Sequence, residues 1–447
     1  MIAATSSWTG TYRLPRSAQP VAVVVRVAGS QASVSLGPGH AYKQRVDVTI
    51  RGTRIRFALP GSPANVVFTG TVSSRRLRGT VAQGRRKGSF SLRRGRNRIV
   101  ELLGAYRGAG GREVAVSEAS GLSPFLTEFP SGAAHGIGKS LTVGRRLGDT
   151  SGYGELAMDG PGFRWRGRRY TRLHVRQREI RVGADAATLS LPSGAGPFPA
   201  VVMVHGSGPS TRDEFDVFTA WLVLHGVAVL ADDKRGTGQS GGVYPGDQAT
   251  TATLKLLAGD AQAEVAFLRR LPQVDQTRIG LWGDSQGGWT SVLAASRDPA
   301  VRWLVENSGP TVSVGEADYW ASLAGESLYP PSGTFAQMLK QVEAHGPSGF
   351  DPAPYLRSLA IPGLWMFGSD DRNIPTELCV QRLEQVTPGH DFSWNVLPTA
   401  HTPLILPTGL LSSLPRSPGF DQHFFPDIAD WLRGHAVTNP TRHRSVR

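Results

Sequence analysis

The chain has 447 residues, more than one hydrophobic core usually holds, so two or three domains are expected. With 40% hydrophobic and 19% charged residues it is neither disordered nor fibrous; no stretch reaches the roughly eighteen apolar residues of a membrane span, and a single cysteine, Cys379, excludes an internal disulfide and reads as a buried packing residue. The 49 Lys and Arg exceed the 35 Asp and Glu by 14, but no nucleic-acid-binding motif accompanies the excess, so these charges read as solvated arginines on the outer face of a sheet rather than a polyanion patch.

The start, MIAATSSWTG, lacks the basic residues and long apolar run of a signal peptide. The expected compartment is therefore the cytoplasm, or the exterior if a leader precedes this start. From residue 1 to about 97, short segments alternate apolar and polar residues between Gly, Pro and charged turns: PVAVVVRV, ASVSL, RVDVTI, RIRFAL, VVFTGTV and GSFSL. Period-two alternation rich in β-branched residues predicts half-buried antiparallel strands, hence a small β-sandwich or barrel. Residues 98–175 continue in the same style, with REVAVSE, SLTVG and RLHVR as further strands, and form a second β-rich segment or a sheet extension. Trp8 and Trp165 fit core or interface positions better than sugar platforms.

At about residue 176 the pattern changes and runs on to the C-terminus, 176–447. Near-continuous apolar runs (FPAVVMVHG, GVAVLAD, RIGLWGD, RWLVEN, IPGLWMFG) alternate with helical stretches such as AGDAQAEVAFLRRL, GGWTSVLAAS, TELCVQRLEQV and FFPDIADWLRG. Strands buried on both faces read this way, so a mostly parallel sheet covered by helices on both faces is predicted. Residues 311–357 interrupt it as a helical insertion, and the polar tail beyond about 436 is expected to fray.

Where the strand RIGLWGD ends and a helix begins lies Gly-x-Ser-x-Gly, as Gly283 to Gly287 around Ser285. Such a turn lifts a serine hydroxyl above the sheet edge, and the glycines keep the neighbouring backbone clear. A serine hydroxyl needs a base and a group to orient that base, and on this kind of elbow the chain order is serine, acid, histidine. Asp370 and Asp371 follow the strand IPGLWMF; His401 follows DFSWNVL. Both loops fall at the strand ends where Ser285 sits, whereas His390, His225 and His435 fall elsewhere and read as structural. The N–H of Gln286 and the backbone of Ser207, in VMVHGSGPS, are the expected oxyanion donors. Trp289, with Tyr319 and Trp320 of the insertion, is expected to line a substrate pocket. Arg212 and Asp213 could shape the oxyanion loop or hold substrate, and Asp233-Lys234-Arg235-Gly236 reads as loop-shaping.

The segments VHGSGPSTRDEF, LADDKRGTGQSGG, GDSQGG, GSDDRNIP and AHTPL, in this order over the last 270 residues or so, resemble the α/β-hydrolase superfamily, and most closely its bacterial esterase-like branch with a β-rich region ahead of the hydrolase fold. SWTGTY at 7–12 and LRGTVAQG at 77–84 are similar to such leading β-domains. In that family the acid follows a glycine by three residues and precedes an apolar-Pro pair, which selects Asp371 through Gly368 and Ile374-Pro375. The resemblance implies a Ser285–His401–Asp371 triad that cleaves carboxylic esters, with no cofactor and no metal. The expected partner is a small-molecule ester, not nucleic acid or a membrane, and the oligomeric state stays open. A prolyl-oligopeptidase-like peptidase is the first alternative, though the first 175 residues carry no repeat of propeller-blade length. A binding protein built on a relic hydrolase domain is the second.

Overall fold

The computed structural model describes residues 5–438 apart from 16–20, 29–30, 37–41, 60–64, 95–101, 118–123 and 139; the tail from 439 on lies outside the described residues. The N-terminal region is a closed barrel of eight strands: β1 (Thr5–Arg13), β2 (Val21–Ala28), β3 (Gln31–Leu36), β4 (Tyr42–Arg51), β5 (Arg54–Leu59), β6 (Val66–Val72), β7 (Arg76–Gln83) and β8 (Arg86–Arg94). Each pairs antiparallel with the next, and β8 returns to β1 with Ser91 opposite Thr11. Inward positions are apolar: Phe57 stacks on Phe68 at 4.8 Å, and Phe68 meets Tyr12 and Phe90 edge-on. Strands β1 and β7 escape the alternation rule because glycines break it. A Cβ on Gly10 would stand 2.2 Å from the Ser91 carbonyl oxygen, and one on Gly79 2.2 Å from that of Thr69. Glycine is there because the barrel wall approaches closely.

The next stretch holds β9 (Gly104–Gly108), β10 (Glu113–Ser117), β11 (Phe125–Phe129), β12 (Ala134–Gly136), β13 (Thr142–Gly144), β14 (Gly152–Glu155), β15 (Ala157–Asp159), β16 (Gly162–Trp165) and β17 (Arg168–Arg172). Seven of them form one antiparallel sheet in the order β12-β11-β10-β9-β17-β16-β15, and β13 pairs with β14. RLHVR is not one strand. Arg172 ends β17 in this sheet, Arg176 opens a strand of the next, and His174 between them accepts a hydrogen bond from Ser193. Trp8 and Trp165 are both buried in cores and offer no exposed platform.

The last sheet has eight strands: β18 (Arg176–Val182), β19 (Asp185–Leu191), β20 (Phe198–Val204), β21 (Ala228–Asp232), β22 (Val274–Asp284), β23 (Trp303–Asn307), β24 (Gly363–Gly368) and β25 (Phe392–Leu397). Their order is β18-β19-β21-β20-β22-β23-β24-β25, antiparallel at the β18–β19 and β19–β21 pairings and parallel from β21 to β25. One face packs with α2 (Thr251–Leu268), α3 (Gln286–Ala295) and α7 (Thr376–Val386); the other with α1 (Asp216–Leu224) and α8 (Phe424–Gly434). Both faces of β20, β24 and the Ile279–Gly283 part of β22 are therefore dry, which is why they read as unbroken apolar runs. The second sheet shares the core of the α1–α8 face through Ala105, Ala115 and Phe129, with Phe129 edge-on to Phe425 at 4.8 Å. Within 311–357 lie α4 (Val314–Ala324), α5 (Phe335–His345) and the short α6 (Ala353–Leu356). The first two start on reciprocal capping boxes, Ser313 with Glu316 and Thr334 with Gln337, and Gly325 closes α4 in the left-handed conformation.

Candidate active site

Ser285 stands between β22 and α3 with φ 53° and ψ −117°, a conformation that costs a non-glycine residue about 1–3 kcal/mol. Its N–H donates to the Asn307 carbonyl at 3.0 Å, and its own carbonyl accepts from Gly288 at 2.8 Å. The flanking glycines are steric requirements. A Cβ on Gly283 would lie 2.1 Å from Glu306 Oε2, and one on Gly287 2.2 Å from the Val204 carbonyl oxygen.

His401 follows β25 and Asp371 follows β24, so both come to the strand-end edge where Ser285 sits. His401 Nε2 is 2.8 Å from Ser285 Oγ, and its Nδ1 is 2.8 Å and 3.0 Å from the two carboxylate oxygens of Asp371. With Asp371 accepting from Nδ1–H, Nε2 is left to accept the Ser285 hydroxyl proton. Asp371 is held in turn by the N–H groups of Asn373 and Ile374 at 2.8 Å and 3.0 Å, and Ser308 Oγ donates to the His401 carbonyl at 2.7 Å. Asp370 points elsewhere, 3.5 Å from Arg372 and 40% exposed. His390, His225 and His435 each bond a backbone carbonyl, of Leu359, Trp221 and Trp431 respectively.

Burial on its own would depress the pKa of His401, but the Asp371 charge and hydrogen bond, with Asp284 behind them, lift it above the ordinary 6.5. Asp284 and Glu306, both beneath the elbow, are pushed up by burial; Asn307 donates to the first and Ser291 to the second.

Gln286 begins α3, and its side chain is pinned. It accepts from Lys234 Nζ at 2.9 Å and donates to the Asp247 carbonyl at 3.1 Å. Lys234 Nζ also donates to the Gly206 carbonyl at 2.7 Å, so one buried ammonium ties the loop after β20 to the residue after Ser285. Burial pulls Lys234 down to about 8, against Asp247, Glu214 and Asp232, which favour its charge. A Cβ on Gly206 would lie 3.2 Å from Ser285 Cβ, and Ser207, next along this loop, is exposed. Arg212 is buried and bidentate on Asp233, at 2.8 Å and 2.9 Å, so it shapes the loop and does not face solvent. The sequence assigned Lys234 only a general place in a loop. Nothing in DKRG says which way its side chain turns.

The aromatic residues divide. Trp320 lines a cavity of about 500 Å³ with Phe335, Leu339, Asp371, Val380 and Val396, and its Nε1–H donates to the Asp371 carbonyl at 3.2 Å. Trp289 and Tyr319 do not line it. Trp289 is sealed in the core with its Nε1–H on the Val312 carbonyl at 2.9 Å, and Tyr319 stacks on His345 at 4.6 Å. Ser285 is not among the cavity's lining residues either.

Comparison with known proteins places the elbow in a shared context. The family described as serine aminopeptidase, S33, matches residues 195–344, or 150 of the 447, which include Ser285 but neither Asp371 nor His401. Esterase EstD of Thermotoga maritima is 29% identical over 223 residues, 44% of this chain and 52% of that protein. Thiohydrolase aneE of Aspergillus aculeatus is 27% identical over 186 residues, 36% of this chain and 57% of its own. The chain thus spans about half the length of these curated relatives. Among solved structures, the Pyrococcus furiosus esterase Pf2001 aligns at 19% identity with a TM-score of 0.41, covering 59% of this chain and 93% of that one. The eight-strand order and the strained serine between strand and helix give the chain an α/β-hydrolase fold with a β-rich region ahead of it, and its elbow region is similar to that family and to these esterase and thiohydrolase relatives.

Proposed function

We propose that the chain cleaves carboxylic esters through an acyl-enzyme on Ser285. The observation that carries this reading is the unbroken hydrogen-bond chain from Ser285 Oγ through His401 to Asp371, with 2.8 Å at each link. His401 takes the hydroxyl proton as Ser285 attacks the ester carbonyl, then gives it to the departing alkoxide. Water repeats the sequence on the acyl-enzyme, and Asp371 holds the imidazole in its working tautomer. The backbone N–H groups of Gln286 and Ser207 receive the developing negative charge, and Lys234 holds their two segments together. Of the three aromatic residues expected to line a substrate pocket, Trp320 is the one that hydrogen-bonds a triad residue, at the Asp371 carbonyl.

A second reading, peptide hydrolysis, is favoured by the description of the matching family as an aminopeptidase. Both are tested by turnover of p-nitrophenyl acetate, butyrate, octanoate and palmitate beside aminoacyl anilides, with Ser285→Ala as control. Ester turnover that falls by several orders of magnitude in Ser285→Ala is the expected result. Turnover confined to the anilides would replace the ester reading with the peptidase one. A folded protein inactive on both and unlabelled by a fluorophosphonate would leave only a binding role.

A further inference from the structure

The charge excess of the whole chain sits in the barrel. Residues 1–94 contain 16 Lys and Arg, 14 of them Arg, and one acid, Asp47; the remaining 353 residues carry 33 basic against 34 acidic. Strand register sets four of these arginines among Ser and Thr in two rows on the outer wall. One row runs Arg54, Thr71, Arg78, Ser91, Thr11 across β5, β6, β7, β8 and β1, and the next runs Arg56, Thr69, Thr80, Ser89, Arg13. Every residue of both rows is exposed. A wall of exposed Arg, Ser and Thr around an apolar interior is the reverse of a barrel embedded in lipid. With one carboxylate against sixteen cations, the region cannot neutralise itself. Guanidinium, planar and weakly hydrated, is the side chain suited to phosphate oxygens.

A second observation comes from the hydrolase domain. Leu328 and Tyr329, between α4 and α5, are 57% and 69% exposed, and Leu411, 37% exposed, is brought beside them by its N–H bond to the Ser327 carbonyl at 2.8 Å. Three large apolar side chains at one tip is a costly arrangement in water.

We propose that the barrel is a docking surface for anionic phospholipid bilayers, and that the Leu328–Tyr329–Leu411 tip is its apolar second contact. Electrostatic attraction plus a small inserted apolar element is the combination that holds a protein at a lipid surface, where either alone is weak. Nucleic acid fits less well. The barrel's described aromatic residues face inward, so no base can stack on them, and nothing in nucleic acid uses an apolar tip. The proposal does not depend on which bond the hydrolase cleaves, because binding is read without turnover.

The test is sedimentation of the full chain with phosphatidylcholine vesicles, with and without phosphatidylglycerol, over a range of salt. Binding only to the phosphatidylglycerol vesicles, weakened by salt, is expected. Each arginine near an anionic leaflet contributes roughly fivefold in affinity, so Arg54→Glu/Arg56→Glu/Arg78→Glu should bind at least about a hundredfold more weakly. Its near-ultraviolet circular dichroism should match the parent's. Leu328→Ser/Tyr329→Ser/Leu411→Ser should lose the binding that survives high salt. If this triple variant binds like the parent, the choice of a bilayer falls. Equal binding to neutral vesicles, or none to either kind, also overturns the proposal. So does a duplex DNA that strips the chain from vesicles at equal phosphate concentration, which would assign the wall to nucleic acid.

Discussion

His401 shows how one residue's environment sets an observable. A general base works in its neutral form, and Asp371 and Asp284 hold the ring's pKa above 6.5 despite burial. The acid limb of kcat/KM should therefore have its inflection above pH 6.5, with activity rising as pH rises through it. An inflection at or below 6.5 would count against this base. Asp371→Asn, which spoils the tautomer, should cost roughly ten-thousandfold in kcat. Lys234 is the residue-scale feature that motif reading could not place. Its contacts with Gly206 and Gln286 predict that Lys234→Met lowers kcat about ten- to a hundredfold with little change in KM, less than the loss of a direct oxyanion donor. A trifluoromethyl ketone forms an adduct that carries the oxyanion, so its affinity should fall in step with kcat. Ketone affinity left unchanged while kcat falls would show that Lys234 acts on something else.

Among elements, the legible ones were those whose pattern had a single physical cause. TELCVQRLEQV and FFPDIADWLRG are helices α7 and α8 to the residue, because one apolar stripe and one polar face leave no other solution. Strand ends offered Ser285, His401 and either Asp370 or Asp371, the family resemblance singled out Asp371, and the structure brings Ser285, His401 and Asp371 within hydrogen-bonding distance. Strands β1 and β7 were not, since close contact across the barrel wall put glycine where alternation was sought. Trp289 and Trp320 both read as pocket aromatics, and only three-dimensional packing separates the core ring from the lining one. Helix α8 also couples two regions. Phe425 is fully buried against Phe129 of the second sheet and against Trp221 of α1. Phe425→Ala should cost about 3–5 kcal/mol, read by denaturant unfolding, and should loosen the second sheet together with the hydrolase domain.

For the molecule as a whole, the cores define the cooperative units. Barrel residues from Trp8 to Leu92 form a core that shares no member with the others, while Ala105, Ala115 and Phe129 of the second sheet belong to the hydrolase core. Calorimetry should resolve two transitions. Phe68→Ala should lower one and Phe425→Ala the other; a single transition lowered by both would mean that the barrel is not a separate unit. Closure of the barrel has one more effect. Because β8 pairs back onto β1, that region presents no free strand edge among its described residues, whereas the hydrolase sheet ends at β18, which is charged and exposed, and at β25, where Val396 is 46% exposed. Strand-on-strand aggregation during heating or overexpression is therefore expected to begin at Phe392–Leu397, while the barrel, closed and strongly positive, keeps its neighbours apart.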